Sequence, residues 1–344
     1  MASRVFMRGV SREQMKNSTS RAILSVLAAL AVTAVITGIV LSMGVYRNYT
    51  ESNGQDFELP THPSDTWPSW SPDGKSIVFE SNRDPKGGVD FGASSIYRVA
   101  STGGPITRLM KFYDLSYPAW SPDGRRIAFQ AGSHIYVYTI ADKSRYKITL
   151  NDRDGRLPSW SPDSKYVFFW SERGDTGFDI YKARYDASPA KAESHKKVIG
   201  LPGFDSLATC SPDATKMAFI HETATGPQEY DVMVANSDGS KPHVVYRKSE
   251  YIDRISWFPD NDRILIQQDA FDGISILYIA RTSKRTAIPL RFSPYHPASH
   301  GSDAVISPDG TKIAFSATPE ESDGDYIFTC NLDGSNLKQV TKAP

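Results

Sequence analysis

The chain has 344 residues, with 39 basic and 39 acidic side chains, so its formal net charge at pH 7 is zero. This balance argues against the strong positive charge that nucleic-acid-binding proteins usually carry. The two cysteines are too few for a disulfide framework, and 11% aromatic residues with 22 prolines and 24 glycines favour short strands joined by turns.

Residues 22–46 form the first predicted element, and they contain no charged side chain. At about 1.5 Å per residue, a helix of this length spans a hydrocarbon core of roughly 30 Å. The leader, residues 1–21, has five basic side chains and one acidic side chain, and basic flanks usually stay in the cytoplasm. We therefore expect an uncleaved transmembrane anchor, with the remaining chain on the periplasmic or extracellular side. The alternative is a cleaved signal peptide, whose apolar stretch usually has about 7–15 residues.

Residues 47–64 follow the anchor, and their polar, turn-rich sequence predicts a short stalk. Without the basic leader, the chain carries four more acidic than basic residues. The exported part is therefore expected to be mildly acidic and to have no nucleic-acid partner.

From residue 65 to residue 344 one pattern occurs six times. Its most regular copies are WSPDGKSIVF, WSPDGRRIAF and SPDGTKIAF. The motif prolines lie 40 to 50 residues apart and are Pro72, Pro122, Pro162, Pro212, Pro259 and Pro308. A period of this size is typical of repeat architectures.

Each copy predicts four short strands. A segment such as YPAW leads into a tight S-P-D turn, an alternating run such as KIAFSA follows, and two further runs such as HIYVYTI and YKITL complete the copy. In the third copy the last run is less distinct, and KKVIGL is its best candidate. Six such copies predict an all-β fold, a six-bladed β-propeller of four-stranded antiparallel blades, preceded by one transmembrane helix.

Two packing questions follow from this fold. A single blade cannot bury both of its faces, so the motif tryptophans are expected to pack between neighbouring blades. These residues are Trp70, Trp120, Trp160 and Trp257. The ring could be closed by an outer strand from residues 57–59 or from residues 337–341, and the sequence leaves both alternatives open.

The pattern W-S-P-D-G-x-x-I-A-F with the closing NLDGSNLKQVT resembles the WD40-like PD40 repeat of TolB-like propellers over residues 65–341. The resemblance implies the fold, whereas function depends on sites added to a fold. Similar propellers precede the hydrolase domain of prolyl-oligopeptidase-type peptidases. This sequence contains no G-x-S-x-G motif, so no serine peptidase activity is expected.

The loops before the first strands carry acids on what should be one face of the ring, beside its central channel. These acids are Asp65, Asp114, Asp154, Asp205, Asp253 and Asp303. Together they could bind a cation or a basic peptide. Alternatively, each acid stabilises a turn or a neighbouring blade.

His296 and His300, in the segment YHPASH, lie before the last blade. Histidines at this spacing could share a metal ion. Oligogalacturonide lyases with a similar propeller use a histidine-rich manganese site, and this resemblance implies a metal-dependent polysaccharide lyase or hydrolase as the alternative function.

No pattern in the sequence specifies a catalytic set, a metal site or a cofactor, so none is expected. The main hypothesis is therefore a membrane-anchored, non-catalytic interaction module. It would bind a protein or peptide outside the cytoplasm through the loops at the channel mouth.

Overall fold

The computed structural model describes residues 62–84, 89, 94–149, 155–174, 177–185, 195–223, 229–248, 250–269, 275–290, 301–319 and 322–343. Within these ranges no helix is long and apolar enough to cross a membrane. The predicted leader, the anchor at residues 22–46 and most of the stalk lie outside the described residues.

The described residues form six antiparallel sheets, each built from four consecutive strands. The strands of blades 1 to 3 are β1 Asp65–Trp70, β2 Ser76–Ser81, β3 Ser94–Ala100, β4 Thr107–Phe112, β5 Leu115–Trp120, β6 Arg126–Ala131, β7 His134–Thr139, β8 Arg145–Lys147, β9 Arg156–Trp160, β10 Tyr166–Gly174, β11 Gly177–Arg184 and β12 Lys196–Ile199. The strands of blades 4 to 6 are β13 Gly203–Cys210, β14 Lys216–Thr223, β15 Tyr230–Asn236, β16 His243–Lys248, β17 Ile252–Trp257, β18 Arg263–Asp269, β19 Ser275–Arg281, β20 Thr286–Pro289, β21 Ser302–Ile306, β22 Lys312–Ala317, β23 Tyr326–Asn331 and β24 Lys338–Gln339.

The prediction of six four-stranded blades is confirmed, including the indistinct run KKVIGL, which contains β12. The first strands contact one another in sequence around a closed ring, from β1 through β21 and back to β1. They therefore surround the central axis. The last blade is completed by β24, which pairs with β23. Residues 57–59, the other candidate for this position, lie outside the described part.

The apolar core consists of six clusters, and each cluster lies between two adjacent blades. The tryptophans belong to these interfaces, as the sequence predicts. The indole N–H groups of Trp70, Trp160 and Trp257 donate to backbone oxygens of the preceding blade at 3.0–3.3 Å. Blade stacking is therefore the source of the buried apolar area that stabilises the ring.

The S-P-D turns lie at the opposite end of the first strands from the acid-bearing loops. In five of them the serine Oγ donates to the aspartate at 2.6 Å. The residue after each aspartate has a positive φ between 58° and 74°, and these residues are Gly74, Gly124, Ser164, Ala214, Asn261 and Gly310. Ser164 and Asn261 also accept a backbone N–H from the preceding blade at 2.9–3.0 Å, so their side chains stabilise the blade interface.

Ala214 has the left-handed conformation without such a bond, so we expect Ala214→Gly to raise the free energy of unfolding. The gain should be up to about 1 kcal/mol, because a non-glycine residue pays roughly that much for a positive φ. Urea denaturation would measure it. Gly74→Ala is the matched control at the same position of blade 1, where the nearest atom to a new Cβ is 3.9 Å away, and it should lose a similar amount. A destabilised Ala214→Gly would contradict the prediction.

Candidate functional site at the central channel

A β-bulge interrupts the pairing of the first and second strands in every blade. Three residues before the motif position, five blades have a non-glycine residue with φ between 50° and 61°. These residues are Trp67, Tyr117, Leu157, Leu207 and Asp303, and Arg254 has the same position in blade 5. Bulges redirect side chains, and strained backbone is concentrated at functional sites. We name these six residues the bulge ring.

Arg254 shows that part of the bulge ring lies in the central channel. Blades 5 and 1 are separated by blade 6, yet the Arg254 Nη2 donates to the Pro68 carbonyl oxygen at 3.4 Å. The guanidinium carbon lies 4.9 Å from the centre of the Trp67 ring. Because blade 6 lies between these blades, the arginine must extend into the channel past the first strand of blade 6. Arg254 and Trp67 therefore meet inside the channel at this level.

Polar and aromatic groups surround the arginine. The rings of Trp67 and Tyr117 meet edge to face with centroids 4.3 Å apart. The Trp67 backbone N–H donates to Asp303 Oδ2 at 3.2 Å, and Ser316 Oγ donates to the same oxygen at 3.0 Å. Trp67 is thus fixed by its backbone on one side and by ring contacts on the other. This arrangement links blades 6, 1 and 2.

Glu80 lies at the end of β2, beside this cluster. Ser94 Oγ donates to Glu80 Oε1 at 3.1 Å, and the Tyr117 backbone N–H also donates to this carboxyl group. Burial raises the pKa of Glu80 to about 8, and the negative charges of Asp303 and Asp114 act in the same direction. Glu80 therefore holds a proton at neutral pH.

The charges of Arg254 and Asp303 each offset part of the effect that burial has on the pKa of the other residue. Burial raises the pKa of Asp303, and the nearby charge of Arg254 opposes that increase. Burial lowers the pKa of Arg254, and the charges of Asp303 and Asp253 oppose that decrease. The cluster thus contains a cation beside two carboxyl groups whose pKa values are raised by burial.

Three exposed aromatic residues lie on the face of the acid-bearing loops. Tyr113 is 76% exposed, Phe204 is 41% exposed and Tyr251 is 46% exposed. They lie just before or near the start of β5, β13 and β17. The Phe204 and Phe178 rings lie 5.4 Å apart, and those of Tyr251 and Tyr230 lie 5.3 Å apart. We name Tyr113, Phe204 and Tyr251 the aromatic rim.

Two of the acids singled out in the sequence have structural partners within their own blades. Asp65 is fully buried and pairs with Arg83, whose Nε donates to Oδ1 at 3.1 Å. Asp205 is also fully buried, lies 2.8 Å from His221 Nδ1 and accepts the Leu201 backbone N–H at 2.8 Å. The partners of Asp65 and Asp205 therefore indicate that these two acids stabilise the fold.

The other sequence-predicted site residues have different environments. Asp303 belongs to the bulge ring, Asp253 is half-buried near Arg254, and Asp114 is exposed near Arg156. Asp154, His296 and His300 lie outside the described residues. Among the residues that the structure does describe, no three histidine, cysteine or acidic side chains are grouped as metal ligands.

The sequence analysis missed the bulge ring and Glu80. A signal for the ring is nonetheless present, because the position three residues before the motif position (Trp in four copies, Cys210 and Ile306 in the others) reads W, Y, L, L, R and D in the six copies. A repeat position whose role is purely structural should have chemically similar side chains in all six copies. This variation at a strained backbone position is what would have revealed the site.

Comparison with known proteins shows which proteins this chain resembles. The model for the dipeptidyl peptidase IV (DPP IV) N-terminal region matches residues 71–160. An uncharacterized protein of Agrobacterium fabrum is 26% identical over 246 residues, which cover 57% of this chain and 81% of that protein. The Tol-Pal system protein TolB of Hamiltonella defensa is 33% identical over 81 residues, which cover 24% of this chain and 17% of that protein.

Solved structures give the same result. TolB from Acinetobacter baumannii has a TM-score of 0.55 and 22% identity, covering 65% of this chain and 54% of its own. The chain therefore spans about half the length of that TolB. An oligogalacturonate lyase in complex with manganese has a TM-score of 0.56 and 13% identity, covering 82% of this chain and 78% of its own. The chain thus contains a TolB-like six-bladed β-propeller.

Proposed function

We propose that this protein is a non-catalytic interaction module. Residues 22–46 would anchor it in a membrane, with the propeller on the periplasmic or extracellular side. The propeller would bind a protein or peptide on the face where the channel opens. The observation that carries this proposal is the aromatic rim on the face of the acid-bearing loops.

The rim favours a surface partner over a substrate passing through the ring. Five large apolar side chains of the described residues are exposed, and three of them form the rim. Exposed tyrosine and phenylalanine supply contact area at a low cost in side-chain entropy and are enriched at protein interfaces. Because Arg254 and Trp67 meet inside the channel, a bound segment would stop above them.

The charges beside the rim suggest which side chains a partner would present. Asp114 lies next to Tyr113, and Asp253 lies two residues after Tyr251. An aromatic ring beside a carboxylate suits a lysine or arginine, whose cation can contact the ring face while it pairs with the acid. We therefore propose a partner segment with basic and apolar residues. The Hamiltonella relative is a Tol-Pal system protein by name, which supports a role in protein interaction.

A photo-crosslinking amino acid placed at position 204 or 251 tests this function. In membranes, the full-length protein should form a discrete crosslinked product from both positions. The matched control is position 288, since Ile288 is 68% exposed on the outer strand β20 and should give no such product. Phe204→Ala and Tyr251→Ala, probed from position 113, should weaken the product at least tenfold. Equal products from positions 288 and 204 would contradict the proposal.

The second candidate is a metal-dependent polysaccharide lyase or hydrolase that uses His296 and His300. The similarity to the manganese-containing lyase is the observation that favours it. Manganese bound by the purified protein, together with cleavage of polygalacturonate that His296→Ala abolishes, would establish this function. The crosslinked product at the rim would then be absent.

A further inference from the structure

A cavity of about 640 Å³ lies at the seam between blade 1 and blade 6. One wall comes from blade 1, with Tyr97, Ile106 and Arg108, and the other comes from the C-terminal segment at residues 338–343. The turn at residues 102–104 forms its rim. It shares no residue with the bulge ring or the aromatic rim. We name it the seam cleft.

The charges of the seam cleft are mainly positive. Of its four basic residues, Arg83 is buried and its charge is balanced by Asp65. The other three are exposed and are Arg108, Lys338 and Lys342. Within the described part of the chain, none of these three forms an ion pair. Asp84 is the one acid among the lining residues, so the cleft has a local charge of about +2, whereas the whole chain is neutral.

The glycines at the rim keep the backbone accessible. Gly103 has φ +79°, and a Cβ added there would lie 3.4 Å from the Val340 carbonyl oxygen. Gly104 has φ +126°, and a Cβ at that position would meet nothing within 4 Å. Glycine is the residue that adopts these angles without strain, and it lets a ligand approach the main chain closely. The rim is therefore narrow at Val340 and open at Gly104.

We propose that the seam cleft binds a small ligand with two negative charges, such as a phosphate ester or a dicarboxylate. Its volume lies in the range of small-molecule sites, about 300–1,000 Å³. The planar guanidinium of Arg108 suits two oxygens of one phosphate or carboxylate, and Lys338 adds a second cation. Ile106, Val340 and Tyr97 supply apolar surface for the body of the ligand. This site is separate from the proposed partner surface.

Isothermal titration of the full-length protein with inorganic phosphate and with succinate tests the proposal. At least one anion should bind, and Arg108→Glu/Lys338→Glu should weaken its binding at least tenfold. The matched control is Lys284→Glu/Arg285→Glu, two adjacent exposed cations in the blade 5 turn, which should bind like the unmodified protein. If the reversed charges disturb folding, Arg108→Gln/Lys338→Gln replaces them.

Binding of phosphate alone would identify a phosphate ester as the ligand class, and binding of succinate alone would identify a dicarboxylate. Binding of both would support the shared dianionic chemistry. Two results would overturn the proposal. One is that neither anion binds, and the other is that the cleft variant and the control lose binding equally, which would show general attraction to surface charge.

Discussion

Arg83→Met is expected to lower the free energy of unfolding by about 3–5 kcal/mol, because it leaves a buried carboxylate without its cation. Asp65 is fully buried and Arg83 is 6% exposed. Burial already raises the pKa of Asp65, while the Arg83 charge and its hydrogen bond oppose that increase. The variant also removes the bond from Arg83 Nη1 to the Lys342 carbonyl oxygen at 3.2 Å. Urea denaturation at pH 7 would measure the loss.

Two comparisons isolate the cause of this loss. Lys165→Met removes an exposed pair with Asp163, in which Nζ and Oδ2 lie 3.7 Å apart, and should cost less than about 1 kcal/mol. Arg83→Met/Asp65→Asn removes both charges and should recover part of the stability. If the double variant is as unstable as Arg83→Met, lost packing rather than an unpaired charge explains the effect.

Glu80→Gln is expected to remove a pH dependence from the stability of the ring. The pKa of Glu80 rises from its ordinary value of 4.5 to about 8 through burial, so between these values the folded state holds a proton that the unfolded state releases. Stability therefore falls as pH rises, by up to about 1.4 kcal/mol per pH unit from this group. Glutamine stays neutral, so the stability of the variant relative to the unmodified protein should rise by up to about 4 kcal/mol from pH 5 to pH 8.

Denaturation curves at pH 5, 6, 7 and 8 would measure this difference. The control is Glu222→Gln, which replaces an acid near the end of β14 in blade 4. The pH dependence of this control measures the part of the effect that an exchange of glutamate for glutamine in another blade produces. A constant difference for Glu80→Gln at all four pH values would show that Glu80 ionises in the folded ring like an exposed acid.

The fold could be predicted because the sequence patterns that specify its turns and strands lie within short segments and occur six times. Each S-P-D turn fixes a hairpin through a serine-to-aspartate bond, and each copy supplies four strands of suitable length. The alternation of apolar residues then specifies which faces stack. Even the weak fourth strand of blade 3 follows from its place in the repeat. These features lie within each copy and do not depend on distant contacts, and comparison among the six copies locates the strands that one copy leaves indistinct.

The channel cluster could not be predicted in the same way. The contact between Arg254 and Trp67 joins residues 187 positions apart, through a bulge that breaks the regular alternation. The sequence pattern instead pointed to the acids before the first strands. Two of these acids, Asp65 and Asp205, have hydrogen-bond partners within their own blades. An acid at a blade boundary can stabilise the fold or bind a ligand, and only burial and partner distances distinguish these roles.

The construction of each sheet from consecutive strands has a consequence for how such a gene can vary. The described ends of the ring meet at one seam, where the Asp65 backbone N–H donates to the Asp325 carbonyl oxygen at 2.9 Å. Among the described strands, no blade combines strands from both ends. A circularly permuted chain, with its ends joined at this seam and opened between any two blades, would still contain six whole sheets. Duplication or loss of coding segments can therefore act in units of one complete blade.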